Sequence, residues 1–306
     1  MDHVVLVLFE NRSFDNLLGR LYRPGDVEAF EGVIGKDLSN PIPAWAEHGA
    51  AGGVVPYGIS PTMDAPNPDP GEEYQHTNTQ LFNVLDEANR FKDATEMVAP
   101  HNAPAAGTES TMQGFVTDYI SFLTFELGRQ PTYEEYSQIM TGYTPEQVPV
   151  ISALARGFGV FDHWFSEVPS QTLANRSFWT AATSSGFVVN RPVTNFMRHN
   201  TAETIFNRLE RCGKTWKVYV LEPDPISFTG FIHMARLRER FAGQNGRGCV
   251  DFHVDTRDQR TAKGGVVVTV TGQEVGLNQA EIGQRAGSGV SLELGERDEV
   301  RGEALP

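Results

Sequence analysis

The chain has 306 residues, enough to bury a substantial core as one large domain or a domain with an appendage, and a single domain with a tail is the expected division. A formal charge of −14 with no visible basic patch argues against a nucleic-acid-binding surface, because phosphate backbones are neutralised by clustered Lys and Arg. No run reaches the roughly 18 apolar residues of a membrane span, and the only cysteines, Cys212 and Cys249, form neither a disulfide framework nor a metal-site spacing.

The first predicted element is a strand over Val4 to Phe9, an unbroken apolar run that fits a strand covered on both faces in a parallel sheet. Met1 stands two residues from this strand, so no export signal precedes it as written, and the expected location is cytoplasmic, or exported if the true start lies upstream. The strand ends at Glu10. Phe14, Leu17, Leu18 and Leu21 then recur at helical spacing with Ser13 as N-cap. A buried strand thus hands the chain to an amphipathic helix through a polar turn, the place in open α/β sheets where ligands bind. Glu10 and Asn11 stand in that turn as oxygen donors for a cation, or simply as capping groups in water.

The string from His3 to Gly19, with Glu10-Asn11-Arg12-Ser13-Phe14-Asp15 at its centre, resembles the opening of the bacterial phosphoesterase family that contains the phospholipases C and a group of acid phosphatases, within the alkaline-phosphatase-like superfamily. The resemblance implies that Glu10 and Asn11 ligate a catalytic divalent metal ion.

From Tyr22 to Pro70 eight prolines break any long element, and the stretch reads as a long loop, more in keeping with an active-site cover than a linker. Asp69 to Thr79 closes it with dense polar groups. His76 among them can coordinate metal or protonate a leaving oxygen, although a loop histidine is often only surface. In the family a histidine of this region lies near the substrate, which makes His76 a substrate-binding candidate. Gly114 to Tyr119 resembles the family's stretch that begins a helix beneath the site, a structural role. Thr144 to Gln147 reads as a capping box with Pro145 opening a helix that ends near Gly157, and Val148, Ile151, Leu154 and Ala155 form its apolar face. Phe158 to Phe161 is a short strand candidate, and Asp162 and His163 at its end offer themselves as ligands or, one strand short of the next motif, as a brace for it.

That motif is Val168 to Phe178. Phe178, Trp179 and Ala182 share a helical face and Gly186 is a C-terminal stop, so Thr172 falls at or just before a helix N-terminus, where free N–H groups and the helix dipole favour a phosphate. The same position suits an ordinary N-cap threonine. Family members carry a Ser or Thr nucleophile followed three and four residues later by Asn and Arg. By resemblance Thr172 is therefore the catalytic nucleophile, and Asn175 and Arg176 bind the substrate. Ser170 does not hold the spacing, and Ala174 replaces the proline usual before the Asn.

Asn200 to Glu203 reads as a further capping box for a helix ending before Gly213, and Trp216 to Leu221 as the next buried strand. The resemblance runs from residue 3 to about residue 242. After Phe252 there is no Phe, Tyr or Trp, and only Val266 to Val270 reads as a strand. Asp251, His253 and Asp255 alternate, as ligands on one strand face or as polar residues of an exposed strand.

The expected fold is therefore α/β, a three-layer sandwich on a mostly parallel sheet, alkaline-phosphatase-like and incomplete at its C-terminus. Residues 1–244 would form the phosphoesterase-like domain and 245–306 a divergent, poorly packed tail, the product of a fragment, a frame change or divergence. The expected function is metal-dependent phosphoester hydrolysis of phospholipase C or acid phosphatase type, with a phosphoester, phospholipid among the candidates, as substrate. The competing expectation is a truncated or degenerate member that binds anions without turnover.

Overall fold

A computed structural model describes residues 4–8, 11–49, 53–221, 227–241 and 251–254, all within the unit Met1–Gln273. Ser13 caps α1 (Phe14–Leu17) as its type and place dictate, its Oγ accepting the Asn16 N–H at 3.1 Å. The helix stops after four residues instead of continuing to Leu21, which is buried just beyond it.

The run before α1 does not form the expected interior strand. Residues 4–8 have no regular structure, and Val5 is 57% exposed. An apolar run becomes a strand only where neighbours complete its hydrogen-bond ladder, and among the described residues no strand lies beside this one. The three-layer sandwich is likewise not found among the described residues. Their strands form three two-stranded sheets: β1 (Ser39–Pro41) antiparallel to β2 (Val54–Pro56), β3 (Gly58–Ile59) parallel to β4 (Thr141–Gly142), and β5 (Val218–Leu221) parallel to β6 (Asp251–Val254). The class is mixed helix and strand. β6 lies beyond residue 244 and pairs with β5 from Val218↔Asp251 to Leu221↔Val254, so Asp251 and His253 occupy alternate register positions. Asp255 and the strand expected at Val266 to Val270 lie outside the described residues.

The largest core forms on α3 (Phe115–Leu127). Its Val116, Tyr119, Ile120 and Leu123 recur at helical spacing and meet Ile42, Val55 and Met140, with Tyr136 from α4 (Tyr133–Ser137). Asn40 of β1 caps α3 from outside, its Oδ1 accepting the Phe115 N–H at 2.8 Å. Gly114 opens the helix against α2 (Tyr74–Phe82): its N–H donates to the Gln80 carbonyl at 3.0 Å, and a Cβ there would overlap the Thr79 carbonyl oxygen. The proline-rich excursion is pinned to this core by three buried tyrosines. Tyr119 donates to the Pro68 carbonyl at 2.6 Å, Tyr136 to that of His48 at 2.7 Å and Tyr143 to that of Met63 at 2.9 Å.

α5 (Pro149–Gly157) ends where expected but starts four residues late. Pro149 has no N–H to donate and clashes with a preceding helical turn, so the helix begins at it, and the Thr144–Gln147 pair closes a turn instead. The strand expected at Phe158 to Phe161 does not form either. Phe158 is 90% exposed and Trp164 73%, and with Phe14, Leu18, Ile151 and Leu154 they line an open groove. Asp162 ties this segment back to the excursion by accepting the Glu31 N–H at 2.6 Å.

A second core gathers Val168, Leu173 and Ala174 around α6 (Thr172–Ala181), Phe196 of α7 (Thr194–His199) and Ile232 of α9 (Phe228–Ile232). α6 stops at Ala182, whose φ of 56° takes the left-handed cap position that Gly186 was expected to fill. A third core joins Phe206 of α8 (Ile205–Arg211), Trp216, Val218 of β5 and Leu237 of α10 (Met234–Phe241). The α8 capping box is Thr204 with Asn207 rather than Asn200 with Glu203, because Asn200 is buried and its amide serves Ser177 and the Ile232 carbonyl. No described helix is long and apolar enough to cross a membrane.

Candidate active site

The two motifs that carry the expected chemistry are built differently. Glu10 lies outside the described residues. Asn11 beside it is exposed and has a φ of 68°, a conformation that asparagine tolerates better than most residues. Behind it the turn is anchored: Arg12 Nη1 donates to the Ala65 carbonyl at 2.6 Å, Asn16 Nδ2 to that of Thr141 at 2.9 Å, and the Asn16 carbonyl accepts the Tyr143 N–H at 2.7 Å. Asp15 in the same turn has its carboxyl raised by burial, partly offset by the charge of Lys36.

Thr172 is the first residue of α6, at the positive end of the helix dipole. The loop leading to it is held by Asn175. That side chain accepts the Val168 N–H at 3.1 Å and donates to the carbonyls of Val168, Ser170 and Gln171 at 3.0, 2.9 and 3.2 Å. In this structure the Asn175 amide is engaged with the loop that leads to Thr172. Gln171 and Asn190 complete the brace, with Asn190 Oδ1 accepting the Leu173 N–H at 2.9 Å and Gln171 Oε1 accepting the Asn190 N–H at 3.0 Å. Arg176 is buried on the inner face of α6, its guanidinium 5.2 Å from the Phe228 ring.

His76 is not a surface loop residue. It lies in α2, 2% exposed, with Nδ1 2.9 Å from Asp118 Oδ1 on α3. Gln80 Nε2 donates to Asp118 Oδ2 at 2.8 Å and to the Gly71 carbonyl at 2.7 Å, and the Phe122 ring meets the imidazole edge-on at 5.6 Å. Burial is the largest influence on the imidazole and pulls its pKa down, but the charge and hydrogen bond of Asp118, with Glu73 and Asp93 behind them, outweigh it and leave the value raised. Asp118 is the residue that sequence reasoning passed over. The signal was there: an aspartate one turn into a helix whose neighbours Val116, Tyr119 and Ile120 are all apolar.

Among the described residues no hydrogen bond or ion pair joins Thr172 to Asn11 or to His76, and no group of three or more His, Cys, Asp or Glu side chains is placed to hold a metal ion. Asn11 and Thr172 are neutral donors, too few for a divalent cation. The described residues thus do not by themselves make a metal centre, and no step below passes through one.

The family model of the phosphoesterase family matches residues 1–244. The chain belongs to the phosphoesterase family. Among its relatives, non-specific phospholipase C1 of Arabidopsis thaliana is 30% identical over 71% of this chain and 34% of its own length. Non-specific phospholipase C3 of the same plant is 31% identical over 71% of this chain and 36% of its own. Phospholipase C B of Mycobacterium tuberculosis is 25% identical over 86% of this chain and 49% of its own. The chain therefore spans between about a third and a half of the length of these relatives.

Proposed function

We propose that this chain hydrolyses a phosphoester, of the kind that the names of its phospholipase C relatives state, with Thr172 as nucleophile. The observation that carries the reading is the place of Thr172: first residue of the ten-residue helix α6, in a loop locked by Asn175, within a phosphoesterase chain. Thr172 Oγ attacks phosphorus in line, the P–O bond to the alcohol breaks, and the alcohol leaves with a proton. Water then cleaves the phosphothreonine and restores the hydroxyl. The positive end of the α6 dipole offsets the charge on the phosphoryl oxygens, and Arg176 adds positive charge behind it. Glu10 and Asn11 are the residues proposed to face a divalent cation, and a three-layer sandwich extending the β3–β4 and β5–β6 pairs is the fold proposed to surround the site.

The test is turnover of a nitrophenyl phosphate and of a phosphocholine ester by the chain and by Thr172→Ala and Thr172→Ser. Loss in the alanine variant, recovery in the serine variant and a trapped phosphothreonine in the parent support the assignment, and undiminished turnover in Thr172→Ala refutes it. A second reading, a member without turnover, draws support from the exposure of Val4 to Val7. Both substrates left intact by the unaltered chain would establish it.

A further inference from the structure

The mechanism above makes no use of Asp118, yet its carboxylate is among the most deeply buried acidic groups described, 1% exposed between α2 and α3. Its two oxygens are divided between two partners. Oδ1 faces His76 Nδ1 and Oδ2 accepts from Gln80, whose amide is itself fixed by the Gly71 carbonyl. Gly71 closes against the imidazole so tightly that a Cβ there would overlap the ring, and the Phe122 ring meets it edge-on. An imidazole clamped by packing and aimed by a carboxylate has one orientation and, when neutral, one tautomer.

We propose that Asp118 is a positioning residue for His76: with Gln80 and Gly71 it holds the imidazole with its proton on Nδ1, leaving Nε2 as the nitrogen that exchanges a proton in the reaction. The exchange rests on the phosphoester reading above, while the orientation does not. A carboxylate in contact accepts only, so Nδ1 must donate, and Nε2 is bare in the neutral ring and protonated in the charged one. A charged ring could give that proton to a leaving oxygen. The charged groups that bear on His76 are all acidic: Asp118 from α3, Glu73 at the start of α2, and Asp93 from the segment beyond it, which itself interacts with Arg191.

Asp118→Asn is a sharp probe because it is nearly isosteric. If its carbonyl oxygen keeps Gln80, its amide nitrogen faces Nδ1 as a donor, and the neutral ring must move its proton to Nε2. Imidazole nitrogen resonances of the full chain, assigned with His76→Gln, read this directly. The expected result is an Nδ1–H tautomer in the parent, and in Asp118→Asn the Nε2–H tautomer with the titration of His76 lowered by about one pKa unit or more, a tenfold loss of proton affinity. An Nε2–H tautomer in the parent overturns the proposal, and this measurement does not depend on Asp118→Asn folding. A titration unmoved in folded Asp118→Asn overturns it as well. The kinetic arm is separate: the pH profile of kcat/KM for nitrophenyl phosphate should lose its alkaline side earlier in Asp118→Asn. An unmoved profile beside a moved resonance removes the proton-exchange half of the proposal. A chain without turnover refutes the proposed function and leaves the resonances to decide Asp118.

Discussion

Asn175 holds Val168 by both ends of its backbone, accepting its N–H at 3.1 Å and donating to its carbonyl at 3.0 Å. Asn175→Ala should leave these groups and the Ser170 carbonyl without their partner in a part-buried loop, at a cost of roughly 1–3 kcal/mol. Asn175→Asp should be worse than alanine above pH 5, because a carboxylate would face the carbonyl oxygens that the amide now serves. Urea denaturation of the two variants checks the order, and a milder loss in the aspartate variant would contradict the bonding described.

The two most buried histidines should bend stability against pH in opposite directions. His233, fully buried, shares a hydrogen bond through Nε2 with Thr180 Oγ1, and its Nδ1 lies 3.3 Å from the Asn200 amide nitrogen, an arrangement for a neutral ring. Burial lowers its pKa from 6.5 to about 4. The unfolded chain then takes up the proton first, so stability is full above pH 6.5 and falls as the pH drops towards 4, by about 3 kcal/mol for this group. His76 is raised, so its contribution is full below its unfolded value and fades as the pH rises through the folded one. Melting temperatures from pH 4 to 8 should show a steep acid limb that flattens in His233→Gln and a neutral-side decline that flattens in His76→Gln.

Removal of divalent cations should abolish turnover if Glu10 and Asn11 hold one, and re-addition should restore it. Asn11→Gly is the informative variant, since it keeps the left-handed backbone at φ 68° while deleting the carboxamide. The expected outcome is a higher cation concentration for half-maximal rate with little change in the melt, whereas turnover that survives chelation would remove the metal from the reading.

Exposed aromatic surface of this size should drive self-association. Phe158 and Trp164 contribute little to the fold at 90% and 73% exposure, so Phe158→Glu with Trp164→Glu should alter stability by no more than about 0.5 kcal/mol per site. Size-exclusion chromatography at rising concentration should show larger species for the parent than for the double variant.

What could be read from the sequence divides by distance along the chain. The start of α3 at Gly114 was legible only through the family resemblance, whereas Ser13 was legible because a cap is decided by residues three or four apart. Thr172 at the head of α6 was legible for the same reason. The runs Val4 to Phe9 and Phe158 to Phe161 announced burial but not a partner, and a strand is made by its neighbours. His76 and Asp118 are 42 residues apart, and neither stretch names the other.

Gly114 bears on that last pair without touching it. Because no side chain stands between the start of α3 and the Thr79 carbonyl, the two helices are set in one register, and Asp118, one turn further along, falls opposite His76. The chemistry of the pair is thus inherited from a missing methyl group on another residue. A drift of this lineage towards alanine at that position would silence the dyad while leaving each of its members in the sequence.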